Sequence, residues 1–212
     1  MSHFTKVKTA ITDLAAFQRA CDAMGLKYEI AEAGKTLSYR EYFGGTRNDA
    51  ALVIRKGQAG KYAPRFCDVA LIADPEHPGQ YQIGVDSMES ELTNRMLQRY
   101  AYEIVMAVAT QQGQTVVDEE VQPDGSIKLT LRYYATSGGT ENLDVEAEVT
   151  PEGMVQATTK GYKGDACLPM IRTIQQAMGG EVLTEKPTDD FYDPGMGGGV
   201  MREDWQGDGT DW

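Results

Sequence analysis

Alternating apolar and polar positions dominate the second half of the chain and predict two consecutive β-hairpins. The segments read VDEEVQPDGSIKLTLRY at 117–133 and VEAEVTPEGMVQATTKGY at 145–162. Each contains a Pro-x-Gly turn, in which proline presets φ and glycine accepts a positive φ. The period-two alternation on either side of the turn is typical of half-buried strands. We therefore expect a duplicated hairpin that builds one antiparallel sheet.

Three other segments show the period of amphipathic helices. The first begins at Leu14, after Thr12 or Asp13 as N-cap, and ends at Gly25. The second, at about 87–112, should be the longest helix, and the third covers about 166–178. Further strands are predicted at 3–11, where apolar positions alternate, and at 50–55 and 66–73, which are rich in Val, Ile and Leu. Short strands are also predicted at 26–31 and 81–86. Between them, residues 34–48 form a polar segment with a turn at Gly44-Gly45.

These elements predict an α+β protein with a mainly antiparallel or mixed sheet and three helices, followed by a disordered acidic tail. We expect three parts: an N-terminal α+β domain at 1–113, a double-hairpin plus helix module at 114–183, and an acidic Gly- and aromatic-containing tail at 184–212. The tail lacks an apolar period, so it cannot bury enough surface alone to offset its ordering entropy.

The charge distribution disfavours nucleic acid as a partner. The net charge is −12, and eight carboxylates against Lys186 and Arg202 place −6 of it in residues 184–212. Nucleic acids and anionic membranes both require a basic footprint, and the longest apolar runs are too short to insert into a bilayer. Three separate cysteines without a CxxC motif indicate reduced thiols, and the N-terminus has no signal-peptide core. We therefore expect a cytoplasmic protein.

The tail carries the first candidate binding residues. Both tryptophans of the protein lie in it, together with two further aromatic residues among carboxylates. Aromatic side chains anchor protein interfaces, and charge steers the encounter between partners. The candidate partner-binding residues are Phe191, Tyr192, Trp205 and Trp212. The alternatives are a solubilising tail and a lid that folds back on the protein.

The exit of the second hairpin forms a candidate thiol or anion site. Cys167 falls in the first turn of the third predicted helix, where the helix dipole favours a thiolate. The residues of this site are Lys160, Gly161, Lys163, Gly164 and Cys167. The thiol could be reactive, could ligate an iron–sulfur cluster, or could simply pack the helix onto the hairpin. The glycines and lysines could instead bind a small anion at the helix N-terminus.

A basic loop connects the strands predicted at 50–55 and 66–73. It contains Arg55, Lys56, Lys61 and Arg65, with Tyr62 between them. This loop could receive an acidic partner, the protein's own tail or an anionic ligand. A solvated loop without a binding role is the alternative.

Two segments resemble known families. MSHFTKVKTAITDLAAFQRACDAMGLKY at 1–28 resembles the opening of the hypothetical chloroplast reading frame thirty-five family (domain of unknown function twelve-fifty-seven). Residues 145–192, with their Pro-x-Gly hairpin and Gly-x-Lys-Gly-x-x-Cys motif, are similar to a small family of unknown function (twenty-nine ninety-seven). The resemblance implies a fusion of two proteins usually encoded separately, with AAA-type ATPases and ferredoxin-like proteins encoded nearby. It implies no reaction.

The leading hypothesis is a non-enzymatic adaptor or assembly factor. It would bind protein partners, among them an AAA-type ATPase, through the acidic aromatic tail and an exposed sheet edge. We identify no catalytic residues and no metal site, and predict no cofactor. A redox or iron–sulfur accessory protein centred on Cys167 and a small-anion binding module are the alternatives.

Overall fold

A computed structural model of the chain describes residues 3–84, 89–134, 143–160 and 168–187. Within these residues it has three α-helices and eleven β-strands, and every strand pairing is antiparallel. The predicted α+β class and the three helices are confirmed. In chain order the elements are β1 (His3–Val7), α1 (Leu14–Ala23), β2 (Glu29–Ile30), β3 (Leu37–Arg40), β4 (Thr46–Ile54), β5 (Val69–Ala73), β6 (Tyr81–Gly84), α2 (Ser90–Gln111), β7 (Thr115–Val121), β8 (Ile127–Tyr133), β9 (Leu143–Val149), β10 (Val155–Lys160), α3 (Leu168–Met178) and β11 (Val182–Pro187).

Both predicted hairpins are present in a six-stranded sheet of order β11-β1-β10-β9-β8-β7. Their turns are closed by backbone hydrogen bonds of 2.9 Å, from Gly125 to Gln122 and from Gly153 to Thr150. The two glycines have φ of 88° and 78°, the left-handed region that glycine adopts without a steric penalty. The predicted turn chemistry is confirmed.

The first strand of the chain lies inside this sheet. β1 is hydrogen-bonded to β10 on one side and to β11 on the other. These pairings connect residues on both sides of residue 113, where the sequence predicted a domain boundary. β11 continues to Pro187, and residues 184–187, which the sequence pattern assigned to the tail, belong to this strand. Their sequence, TEKP, has no apolar alternation, so the strand depends on pairing with the edge of β1.

A second, five-stranded sheet has β4 and β5 at its centre. β2 and β3 both pair with β4, and β6 pairs with β5. β3 and the first part of β4 lie in the segment 34–48, which the sequence pattern read as polar. The inner face of this sheet joins the main core through Leu52, Ile54 and Leu71. On the outer face, Tyr39 belongs to a smaller apolar cluster, whose other buried members are Ala50, Val53 and Ala70.

The helices and both sheets contribute buried residues to one hydrophobic core. Asp13 caps α1 by accepting hydrogen bonds from the backbone of Ala15 and Ala16, and Gly25 follows the helix with φ of 68°. α2 has 22 residues, and the Tyr100 hydroxyl accepts hydrogen bonds from the backbone of Thr12 and Asp13, at 3.0 and 3.1 Å. No helix in the described part of the chain is long and apolar enough to cross a membrane.

Candidate protein-binding surface

Three exposed aromatic side chains meet beside the turn between β3 and β4. Phe43 is 90% exposed, Tyr42 43% and Phe66 40%. The Tyr42 ring lies edge-on to both neighbours, with centroid distances of 5.1 Å to Phe43 and 6.3 Å to Phe66. These three residues are called the aromatic trio below. Clustered exposed aromatic side chains are typical of binding surfaces, whereas isolated ones are ordinary.

A tight turn explains the exposure of Tyr42 and Phe43. Glu41 donates to the Gly45 carbonyl at 2.9 Å, and Gly44 donates to the Glu41 carbonyl at 3.2 Å. Tyr42 and Phe43 are therefore the two central residues of the turn, and Gly44 follows with φ of 88°. Polar or small residues usually fill such central positions. Two aromatic residues at this place cannot reach a core, so they extend into solvent.

A groove of about 350 Å³ runs from the aromatic trio across the outer face of the five-stranded sheet. Its walls combine apolar side chains with a few charged ones, and it ends at β6. The lining residues are Tyr39, Glu41, Tyr42, Phe43, Arg47, Cys67, Asp68, Ile72, Ile83 and Gly84. Mixed apolar and polar walls of this kind suit a peptide segment or a protein side chain.

The predicted basic loop has one structural and one exposed part. Arg55, in the structural part, donates to the Glu29 carboxylate at 2.9 Å and to Asp68 at 3.1 Å. It also donates to the Ser38 carbonyl at 2.8 Å. One guanidinium thus connects β2, β3 and the residue before β5. Glu29 raises the pKa of Arg55 through this pairing. Arg55 is therefore engaged within the fold.

Asp68 anchors both ends of this loop region from a buried position. Its carboxylate accepts hydrogen bonds from the backbone N–H of Arg40 and of Lys56, each at 3.0 Å, and its side chain is 5% exposed. Burial opposes the charged form, but the Lys56 and Arg40 amides together with Arg55 outweigh it and lower the pKa of Asp68. A charged Asp68 thus holds the loop against β3.

The exposed part of the loop lies beside Arg95 of α2, and two cations lie near the Tyr62 ring. Lys61 lies 5.0 Å and Arg95 5.3 Å from the centre of the Tyr62 ring, and Lys61 lowers the pKa of the Tyr62 hydroxyl. Arg95 also pairs with Glu91 at 2.9 Å. With Arg65, these cations line a depression of about 290 Å³ that also includes Phe66. Lys61, Arg65 and Arg95 are called the basic cluster below.

Glu89 positions the loop between the aromatic trio and the basic cluster. One carboxylate oxygen accepts hydrogen bonds from the backbone of Arg65 at 2.6 Å and Phe66 at 2.7 Å. Glu89 is itself buried, and this oxygen is engaged by the two backbone amides. Within the residues that the structure describes, no carboxylate lies within 4.0 Å of the Lys61 ammonium or the Arg65 guanidinium. The aromatic trio and basic cluster form one aromatic–basic surface.

The other sequence-predicted sites are only partly described. Lys160 lies on the solvent-facing side of the six-stranded sheet, where its ammonium pairs with Glu146 at 2.7 Å. The remaining members of the thiol or anion site, Gly161, Lys163, Gly164 and Cys167, lie outside the described residues. The same holds for the tail residues Phe191, Tyr192, Trp205 and Trp212. Their roles stay predictions.

The cysteine and histidine side chains of the described ranges lie in different environments. Over the described ranges, no group of three His, Cys, Asp or Glu side chains could hold a metal ion. Cys21 and Cys67 are buried, and burial raises the pKa of Cys21 to about 12, which keeps its thiol protonated. The structure does contain one carboxylate–imidazole pair that sequence analysis missed. Asp74 and His77 lie 3.1 Å apart in an Asp-Pro-Glu-His turn.

Two family models match this chain in separate segments. Residues 21–130 match a protein of unknown function (DUF1257), and residues 145–192 match another (DUF2997). The first model runs from the last turn of α1 to the middle of β8. The second covers β10, α3 and β11 with nearly all of β9. These matches confirm the resemblance to a fusion of two families.

Proteins from algal lineages are similar to about two thirds of the chain. An uncharacterized protein ycf35 of Guillardia theta is 31% identical over 138 residues, which covers 63% of this chain and 98% of the relative. That of Cyanophora paradoxa is 26% identical over 135 residues, with the same coverage. No solved structure matches the chain. On the family model and these relatives, the chain belongs to the DUF1257 family.

Proposed function

We propose that this protein is a non-enzymatic adaptor or assembly factor that binds a protein partner on its aromatic–basic surface. The observation that carries the proposal is the aromatic trio, above all Phe43 with 90% of its side chain in solvent. The surface places exposed aromatic side chains, which anchor interface centres, beside the cations of the basic cluster.

The chemistry of the surface indicates the kind of partner segment that we expect. Three aromatic rings would contact apolar or aromatic side chains, and the adjacent basic cluster would contact carboxylates. The partner segment should therefore be acidic and carry aromatic or aliphatic anchors. Burying one exposed aromatic side chain contributes about 1.5–3 kcal/mol. An AAA-type ATPase, suggested by the family resemblance, is the first partner to test.

A photo-crosslinking amino acid at position 43 tests this function in the native cell. We expect one discrete protein to be crosslinked from position 43, and the same protein to bind the purified adaptor. The matched control is position 121, because Val121 is also exposed, at 69%, but lies on β7 of the other sheet. Equal crosslinking from both positions, or none from position 43, would contradict the proposed binding surface.

A further inference from the structure

We propose that residues 188–212 of the same chain dock on the aromatic–basic surface and cover it until a partner displaces them. This inference rests on the proposed function, because it concerns the same surface, and it adds the regulation of that surface. The occupant is a segment of this chain, so the proposal is intramolecular.

Charge complementarity is the first argument. Residues 188–212 contain seven carboxylates and one cation, Arg202, a net charge of −6. Residues 50–67 contain four cations, and the carboxylates that line the same depression, Glu89 and Glu91, are engaged by the Arg65 and Phe66 amides and by Arg95. Of these cations, Arg55 is engaged by Glu29 and Asp68, but Lys61 and Arg65 extend from the surface. Opposite charges of this kind attract over about 10 Å at 0.1 M ionic strength.

Aromatic complementarity is the second argument. The segment carries Phe191, Tyr192, Trp205 and Trp212, and the surface offers both exposed rings and cations. The Tyr62 ring, with Lys61 and Arg95 at 5.0 and 5.3 Å, shows that the cations of this surface already contact an aromatic ring. Tryptophan binds cations better than the other aromatic side chains. The acidic aromatic segment therefore has the composition that we expect of a ligand for this surface.

The segment is long enough to reach the surface. β11 ends at Pro187, and the 25 residues after it span at most about 85 Å when fully extended. A compact domain of this chain's length is roughly 45 Å across. A covalent linkage to the fold raises the effective concentration of the segment at the surface into the mM range. Even contacts that would be weak between separate molecules therefore suffice to keep the surface covered.

Intrinsic tryptophan fluorescence tests the docking directly, because both tryptophans of the protein, Trp205 and Trp212, lie in this segment. In the full chain at low salt we expect blue-shifted emission and protection from acrylamide quenching. In the double variant Lys61→Glu/Arg65→Glu, emission should shift to the red and quenching should rise towards that of the urea-unfolded chain. Wild-type emission that already matches the unfolded chain would overturn the proposal.

A control with the same charge change separates docking from general electrostatics. Lys35→Glu/Lys128→Glu also lowers the net charge by four, but Lys35 lies between β2 and β3 and Lys128 on the six-stranded sheet. We expect this control to retain the wild-type emission and quenching. An equal loss of protection in both double variants would overturn the assigned site. Protection that rises with protein concentration would assign the contact to a second copy and overturn the intramolecular proposal.

Partner binding distinguishes this inference from the proposed function. If the segment covers the surface nine-tenths of the time, deleting residues 188–212 should tighten binding of the crosslinked partner about tenfold. Weaker binding after deletion would mean that the segment itself holds the partner, which overturns the covering role. Unchanged binding would also overturn that role, and either result would leave the adaptor function in place.

Discussion

Phe43 shows how the role of a residue depends on its position within one short turn. It lies four residues after Tyr39, and the two have opposite environments. Phe43 is 90% exposed, whereas Tyr39 is 4% exposed in the apolar cluster on the outer face of the five-stranded sheet. The fold therefore needs Tyr39. We propose that Phe43 instead contributes to partner binding.

The first prediction separates these two roles by stability. Phe43→Ser should change the free energy of unfolding by no more than about 0.5 kcal/mol, because almost no buried contact is lost. Tyr39→Ser should cost about 3 kcal/mol, because it empties a buried aromatic site. Urea denaturation of both variants measures the difference. A Phe43→Ser variant as unstable as Tyr39→Ser would show that Phe43 belongs to the fold.

Asp68 is the buried charge that holds the loop beneath the basic cluster, and its role predicts a pH dependence. Asp68→Asn should lower the free energy of unfolding at pH 7 by about 2 kcal/mol, because charge-assisted hydrogen bonds are lost. The exposed Asp49, which pairs with Arg47 at 2.9 Å, supplies the control. Asp49→Asn should change stability by less than about 1 kcal/mol.

The sign of the pH dependence follows from the lowered pKa of Asp68. In the unfolded chain the carboxyl titrates near 3.8, and in the folded protein it titrates lower. Its contribution is therefore fully present above about pH 5 and is lost as the pH falls through 3.8 towards the folded pKa. Urea titrations should show the wild-type advantage over Asp68→Asn shrinking below pH 4. An advantage that grows in acid would contradict this assignment.

The sequence indicated part of this surface and missed the rest for physical reasons. The basic loop was recognisable because four cations lie close together in the chain. The ion pairs of Arg55 within the fold were not recognisable, because its partners Glu29 and Asp68 are distant in sequence from each other. Tyr42-Phe43 before Gly44-Gly45 was a readable signal, since two aromatic residues in a predicted turn have no core to enter. Arg95 joined the surface only through the packing of α2.

At the scale of elements, the two related hairpins have different surroundings. A Cβ on Gly153 would lie 2.7 Å from the Leu97 carbonyl carbon of α2, whereas a Cβ on Gly125 would meet nothing nearer than Pro151, at 3.6 Å. The second hairpin turn is therefore pressed against the longest helix, and the first turn is open. The two hairpins are therefore similar in sequence, but their turns pack against different surroundings.

This difference predicts unequal costs for the same substitution. Gly125→Ala should destabilise the protein by about 1 kcal/mol, because alanine is strained at positive φ. Gly153→Ala should cost a further 1–3 kcal/mol or so, because its methyl group would also overlap the backbone of α2. Thermal or urea unfolding of the two variants provides the comparison. Equal costs would mean that the turn of the second hairpin does not contact the helix.

Local chemistry explains which elements were predictable. The hairpins were recognised because Pro-x-Gly turns and alternation act within a few residues. β3 and β11 were missed because each is short and largely polar, and each becomes a strand by pairing with an edge supplied elsewhere, β4 and β1 respectively. No local pattern in LSYR or TEKP marks that pairing.

At the scale of the whole molecule, the first strand of the chain pairs with the second family segment. This strand precedes the first match, residues 21–130, yet its hydrogen-bonded neighbours β10 and β11 lie within the second, residues 145–192. Val7 of β1 and Val155 of β10 are fully buried. The C-terminal segment therefore supplies part of the sheet around the start of the chain.

Cleavage between β8 and β9 tests this interlocking. With a protease site in place of residues 135–142, the two fragments of the cleaved protein should co-elute in native buffer and separate only in denaturant. Val7→Ala should lower the urea concentration at which they separate, because it leaves a cavity in the β1 contact. Fragments that separate without denaturant would contradict the interlocked sheet.

Partner binding at the aromatic–basic surface is the central proposal for this protein. The most direct measurement is the Kd of the purified, crosslink-identified partner for the wild-type protein and for Phe43→Ser, with Val121→Ser as the exposed control on the other sheet. We predict binding at least about 30-fold weaker for Phe43→Ser, as for loss of a hot-spot residue worth 2 kcal/mol, and wild-type binding for Val121→Ser. Equal Kd values for wild type and Phe43→Ser, with both proteins folded, would contradict the account.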